Sequence, residues 1–280
     1  MGKKQTTNKD AGEMSFLDHL EVLRWTLIRS SLAVLTFGMV AFMMKDFIFN
    51  KILLAPKDPS FFTYRFLCSV SKRLGTEGLC IDEIPFIVQS RTMAGQFSAH
   101  IWTSIAFGFI LAFPYIIWEV WKFIKPALYE NEKKNAKSFI IITSLLFFMG
   151  ILFGYYVITP LSVNFLGSYT VAEEVKNNFD LSSYTGLLKA SCLSSGFIFE
   201  LPIIIYFLTK MGLVTPEFLK EYRKYALVLV LILAAVITPP DIISQIIVAI
   251  PMVILYEVSI KISKFILKKE EKEKSTELQV

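Results

Sequence analysis

The apolar positions of this chain fall into long blocks separated by polar segments, and most blocks are longer than a helix of a soluble core needs. Residues 1–14 are polar and read as a disordered tail. From Ser15 the pattern changes: Ser15-Phe16-Leu17-Asp18 has the form of a capping box, and Phe16, Leu20, Leu23 and Leu27 recur at helical spacing. Asp18, Glu21 and Trp25 share another face, which predicts a short helix on the membrane surface before the chain turns inward. Span one then covers residues 25–44, since about 20 residues at 1.5 Å each cross a hydrocarbon core of about 30 Å. Arg29 lies near enough to its start to snorkel outward.

Beyond it, residues 45–91 form a long loop in which Phe62, Phe66, Val70 and Leu74 predict a short interfacial helix. Span two is residues 97–118, with Pro114 near its end, and a basic, aromatic loop, 119–137, follows. Span three, 138–158, carries Gly150 and Gly154 four apart, a spacing that lets another helix approach closely. A polar loop, 160–183, precedes span four, 184–208, which contains Lys189, Glu200 and Pro202. Spans five and six, 225–238 and 242–259, are short and are joined by Pro239-Pro240-Asp241. Fourteen helical residues reach only about 21 Å, so this pair thins the bilayer or forms a hairpin whose tip stops short of the far surface. The expected fold is an all-α integral membrane protein: a six-helix membrane domain over 15–262 and a solvated, charged tail over 263–280.

Composition agrees with lipid as the solvent: 54% of the residues are hydrophobic and 25 are Phe. The net charge of +5 does not point to nucleic acid, because the basic residues flank apolar runs and no aromatic-interleaved basic stretch occurs. Segments on the N-terminal side hold 19 Lys and Arg against 8 on the other, so both termini are expected in the cytoplasm. No cleavable signal is visible, and the first apolar run is expected to stay as a span. Cys68 and Cys80 fall in the long outer loop, where they can form a disulfide or stand as separate thiols; Cys192 lies in span four.

Candidate chemistry is sparse. Glu200 sits near the middle of span four, where an acidic group costs about 2.5–3.5 kcal/mol to insert, so it must face a cavity or a partner. An internal hydrogen bond between helices would meet that need, and so would contact with a substrate, a proton or a partner. Lys189 lies three turns earlier on nearly the same face, with Ser191, Cys192, Ser194 and Ser195 between them. Gln245, early in span six, can hydrogen-bond across helices or take a more specific part. His19 and His100 are isolated, and no zinc spacing, glycine loop or nucleophile elbow appears. No cofactor, no metal and no catalytic residue is expected; the pattern suits binding and conducting.

Four blocks resemble one family. They are Ser15-Phe-Leu-Asp-His-Leu with Leu23-Arg24; Phe113-Pro114 with Trp121-Lys-Phe-Ile-Lys-Pro-Ala-Leu-Tyr-Glu-Asn-Glu132; Gly196-Phe-Ile-Phe-Glu200-Leu-Pro202 with Met211-Gly-Leu-Val-Thr-Pro216; and Thr238-Pro-Pro-Asp241-Ile-Ile-Ser-Gln245. In this order they resemble TatC, the receptor of the twin-arginine protein translocase. The resemblance implies an inner-membrane protein that binds twin-arginine signal peptides, assembles with single-span TatA/TatB-type subunits and with copies of itself, and exports folded proteins on the proton motive force. It implies signal-peptide binding by Glu132, supported by Arg24, Phe123, Pro126, Leu128 and Tyr129. The second family acid falls on Val22, leaving neighbouring Glu21 to serve or Glu132 to carry more of the recognition. It also implies a partner-subunit site at Glu200, Pro202 and Gln245, and loop-shaping roles for Pro56 and Asp241. The rival reading is a secondary transporter with Glu200 and Lys189 along a solute or proton path; no inverted repeat supports it.

Overall fold

The computed structural model describes residues 16–75, 80–81, 84–125, 136–172 and 174–277. The tail 1–14 and the Ser15 cap lie outside them. The first helix, α1 (Phe16–Met43), runs unbroken, so the expected surface helix and span one are one element. No proline interrupts it, and it packs along much of its length against α3. A turn at Lys45–Phe47, a π-helical segment Ile48–Leu53 and a 3₁₀ turn Ala55–Lys57 lead to the amphipathic α2 (Phe62–Leu74), which the periodicity predicts.

Helix α3 (Gly95–Ile124) continues six residues beyond the predicted end of span two, and Pro114 sits inside it. Helix α4 (Ala136–Phe153) passes through a π-helical turn, Gly154–Ile158, into α5 (Thr159–Ser168), so the chain stays helical where a loop was expected from Pro160. A proline leaves the carbonyl four residues back without its helical donor. Here that is Tyr156, and the Thr63 hydroxyl of α2 donates to its carbonyl instead. Pro56 poses the same problem for Ile52, and the Tyr155 hydroxyl donates to that carbonyl at 2.8 Å. Side chains therefore satisfy the backbone that the prolines release, and the irregular segment packs on the α4–α5 column.

Helices α6 (Leu181–Phe199) and α7 (Leu201–Lys210) form the predicted fourth span, interrupted at Glu200. Pro202 explains the break, because its ring cannot accommodate the Ile198 carbonyl in a continuous helix. Asp180 caps α6, accepting from the Ser182 amide at 2.9 Å. A short helix, α8 (Pro216–Glu221), precedes α9 (Arg223–Ile237) and α10 (Ile242–Glu277). The last helix runs through the charged segment expected as a solvated tail, and its apolar stretch, Ser244–Lys268, has 25 residues, so span six is not short. Among the described residues five stretches are long and apolar enough to cross a bilayer. Helix α9 is the exception, with 15 residues spanning about 22 Å.

Two strands that no alternation announced, β1 (Ile87–Gln89) and β2 (Asn178–Asp180), pair in parallel with Ile87 opposite Asn178. They tie the two long loops at one end of the bundle.

Contacts fix the helix directions. Phe42 stacks on His100 and Arg29 reaches Glu119, so α1 and α3 are antiparallel. Trp121 meets Phe139, and Gly150 and Gly154 meet Gly196 and Cys192, so α3, α4 and α6 alternate. A Cβ on Gly154 would lie 2.7 Å from the Cys192 Cα, which is why this crossing needs glycine. Helix α10 runs beside α7 and antiparallel to α9. One end of the bundle thus holds the start of α1, the end of α3, and the segment from α7 into α9; the other holds the long loops.

Candidate functional site

At the end that bears the start of α1, a cavity of about 440 Å³ opens between α1 and α3, lined by Glu21, Val22, Trp25, Thr26, Arg29, Glu119 and Lys122. Helical spacing explains the set: 22, 25, 26 and 29 are one face of α1, and 119 and 122 are one turn apart on α3. Glu119 is 1% exposed. Its carboxylate accepts from the Lys122 ammonium at 2.7 Å and lies 3.6 Å from the Arg29 guanidinium. Lys122 also sits 3.5 Å above the ring of Trp118. The continuation of α3 past residue 118 places Glu119 inside the protein, where a loop had been expected.

Glu21 and Val22 both line this cavity. Glu21 is exposed and has no ion pair among the described residues. Arg24 is exposed and takes no part in the lining. Phe123 is half-buried in the last turn of α3. Glu132, Pro126, Leu128 and Tyr129 lie outside the described residues. Sequence reasoning missed the Arg29–Glu119 pair, reading Arg29 as a snorkelling cation; the signal that could have found it is an arginine a turn inside span one with the first acid after span two on the same side.

Glu200 occupies the break between α6 and α7 and is 7% exposed. The Phe147 backbone lies near its carboxyl, yet neither oxygen completes a hydrogen bond with any described group. Pro202 is buried in the first turn of α7. Gln245 is not brought to Glu200: its amide donates to the Leu231 carbonyl at 3.1 Å, holding α9 and α10 together as a hairpin. That hairpin packs Val230, Ala234, Val248 and Met252 against Ile158, Phe153 and Ile198. Lys189 lines a different cavity, at the loop end, in which Glu200 has no share.

The loop-shaping residues stand apart from both sites. The Tyr64 hydroxyl lies 2.9 Å from the carbonyl of buried Pro56 and 3.0 Å from that of Pro160. The Asp241 carboxylate accepts from the Ser244 amide at 2.8 Å and its hydroxyl at 2.6 Å, capping α10 after the two prolines. Cys68, in α2, is bonded to Cys80, and Cys192 is a buried free thiol. Among the described residues no cluster of metal-ligating side chains occurs.

The sequence matches the family described as Sec-independent protein translocase protein (TatC) over residues 18–251. It is 41% identical over 263 residues to the TatC protein of Blattabacterium sp. subsp. Periplaneta americana (strain BPLAN), covering 93% of this chain and 99% of that one. It is 31% identical over 274 residues to TatCy of Bacillus subtilis (strain 168), covering 98% of each. The fold is similar to a crystal structure of the twin arginine translocase receptor TatC, with a TM-score of 0.66 and 31% identity over 88% of this chain and 98% of that one.

Proposed function

The chain belongs to the TatC family of Sec-independent protein translocase proteins, and from that premise we propose that it is a receptor for twin-arginine signal peptides at the cytoplasmic face of the inner membrane. Both termini face the cytoplasm in this reading, because the basic excess lies at the terminus-bearing end of the bundle. The observation that supports recognition there is the cavity between α1 and α3, with the carboxylate of Glu21, which has no ion pair among the described residues, on its wall. Two guanidinium groups call for carboxylates that each accept paired hydrogen bonds, a geometry that favours Arg over Lys. Glu119 is already held by Lys122 and Arg29, so a peptide arginine meets Glu21 and the family acid at Glu132 first. The apolar wall of Trp25 and Val22 suits the hydrophobic segment that follows the arginines of a signal peptide.

Glu200 takes the other role: its unmatched carboxyl pairs with a polar group on a single-span TatA/TatB-type subunit, and the assembled complex exports folded proteins on the proton motive force. Gln245 serves that assembly through the hairpin that it braces. A labelled twin-arginine signal peptide titrated into vesicles carrying the full chain tests recognition. Its twin-lysine version is expected to bind at least about tenfold more weakly, since charge-assisted bonds contribute about 1.5–3 kcal/mol. Equal binding of the two peptides would contradict the reading.

A further inference from the structure

At the loop end of the bundle a second cavity, of about 330 Å³, lies between the π-helical segment Ile48–Leu53, α3, the α4–α5 column and α6. Its walls are mostly apolar, among them Ile110, Leu152 and Leu193, and Leu152 is 54% exposed, so the cavity opens on the flank of the membrane-crossing helices. Two lysines share it: Lys51, exposed on the π-helical segment, and Lys189, half-buried on α6. Neither has an ion pair or hydrogen bond among the described residues. Tyr156 also lines the cavity, and its hydroxyl has no hydrogen bond among the described residues.

A cation on a membrane span demands a counter-charge, a cavity with water or a route to the interface. Lys189 lies eight residues into α6, about 12 Å below the loop end, so its four-carbon stem can carry the ammonium toward the boundary where headgroups sit. The acid on the same span, Glu200, lies three turns further on and outside this cavity. Among the described residues no acid lines this cavity, so a counter-charge has room to come from outside the chain. Two ammonium groups and a phenol hydroxyl above an apolar trough match a phosphate joined to an acyl chain. We propose that this cavity holds one anionic phospholipid of the leaflet at the loop end, its phosphate between Lys51 and Lys189 and an acyl chain along Ile110, Leu152 and Leu193. The lipid would fill the space beneath the Tyr155 hydroxyl bond to Ile52, bracing the irregular segment that prolines leave short of backbone donors. This assignment does not depend on the signal-peptide reading.

Native mass spectrometry of the full chain from micelles mixing phosphatidylglycerol and phosphatidylcholine reads the site directly. One retained phosphatidylglycerol is expected, in preference to phosphatidylcholine. Lys51→Gln with Lys189→Gln should weaken that binding about thirtyfold, and each alone about fivefold, at about 1 kcal/mol per cation. Lys72→Gln with Lys176→Gln removes two exposed cations at the same end that do not line the cavity, and should change nothing. Lys51→Arg with Lys189→Arg keeps the charge and should keep the lipid; with unchanged helix content by circular dichroism, it separates lost charge from lost fold. Undiminished phosphatidylglycerol binding in the double Gln variant, or equal retention of the two lipids by the native chain, would overturn the assignment. So would displacement of the lipid by inorganic phosphate, which would make the site one for a free anion.

Discussion

Two carboxylates are buried among the described residues, and they differ in one respect. Glu119, at the end that bears the start of α1, is 1% exposed and held by Lys122 and Arg29. Glu200, in mid-span, is 7% exposed and completes no hydrogen bond with any described group. A buried polar group left unmatched costs about 1–3 kcal/mol, and water is not at hand in the bilayer core to relieve it. The first acid ties α1 to α3, so its work lies within the chain. In the proposed function the second gains its value when a partner subunit pairs with it. Burial alone does not separate the two acids; their partners do.

Giving each site an apolar residue of similar size separates the two acids. The largest effect is expected in transport: Glu200→Leu should cut export of a twin-arginine substrate at least about tenfold, because a partner's polar group would then be left unpaired in lipid. Normal export would reduce Glu200 to a packing residue. The same substitution should leave the thermal stability of the purified chain unchanged or raise it, since replacing an unsatisfied buried group with an apolar one is neutral or favourable. Glu119→Leu should act in the opposite sense, lowering stability by about 1–3 kcal/mol in a detergent melt as its two cations lose their acceptor. A stabilising Glu119→Leu would show that the ion pairs give nothing net. The smallest change belongs to Lys122→Gln: its ammonium is half-exposed and Arg29 remains, so a loss of about 1 kcal/mol or less is expected in the same melt.

Glu200 was legible in the sequence because an acid inside a long apolar run has no bland place to go. Glu119 was not, since an acid at the end of such a run looks like the first residue of a loop. Helix ends failed for the same reason. The apolar pattern marks where lipid stops, but α3 runs to Ile124 and α10 to Glu277 because backbone hydrogen bonding continues where lipid does not. Pro160 reads as a stop, yet the helix passes through it because Thr63, nearly a hundred residues earlier, supplies a donor that no local pattern records. The paired strands Ile87–Gln89 and Asn178–Asp180 are three residues each, too short to show alternation. Gln245 carried two readings in the sequence, and its bond to Leu231 places it within the last hairpin.

The central claim is that recognition and partner assembly use different acids, on the cytoplasmic surface and in mid-span. Its most direct test is the affinity of a labelled twin-arginine signal peptide for the full chain in vesicles. Three proteins are compared: the native chain, Glu21→Gln with Glu132→Gln, and Glu200→Leu. The double surface variant should bind at least about tenfold more weakly, from lost charge-assisted hydrogen bonds, and Glu200→Leu should bind like the native chain. Native-like binding by the double variant, with loss of binding in Glu200→Leu, would contradict the claim.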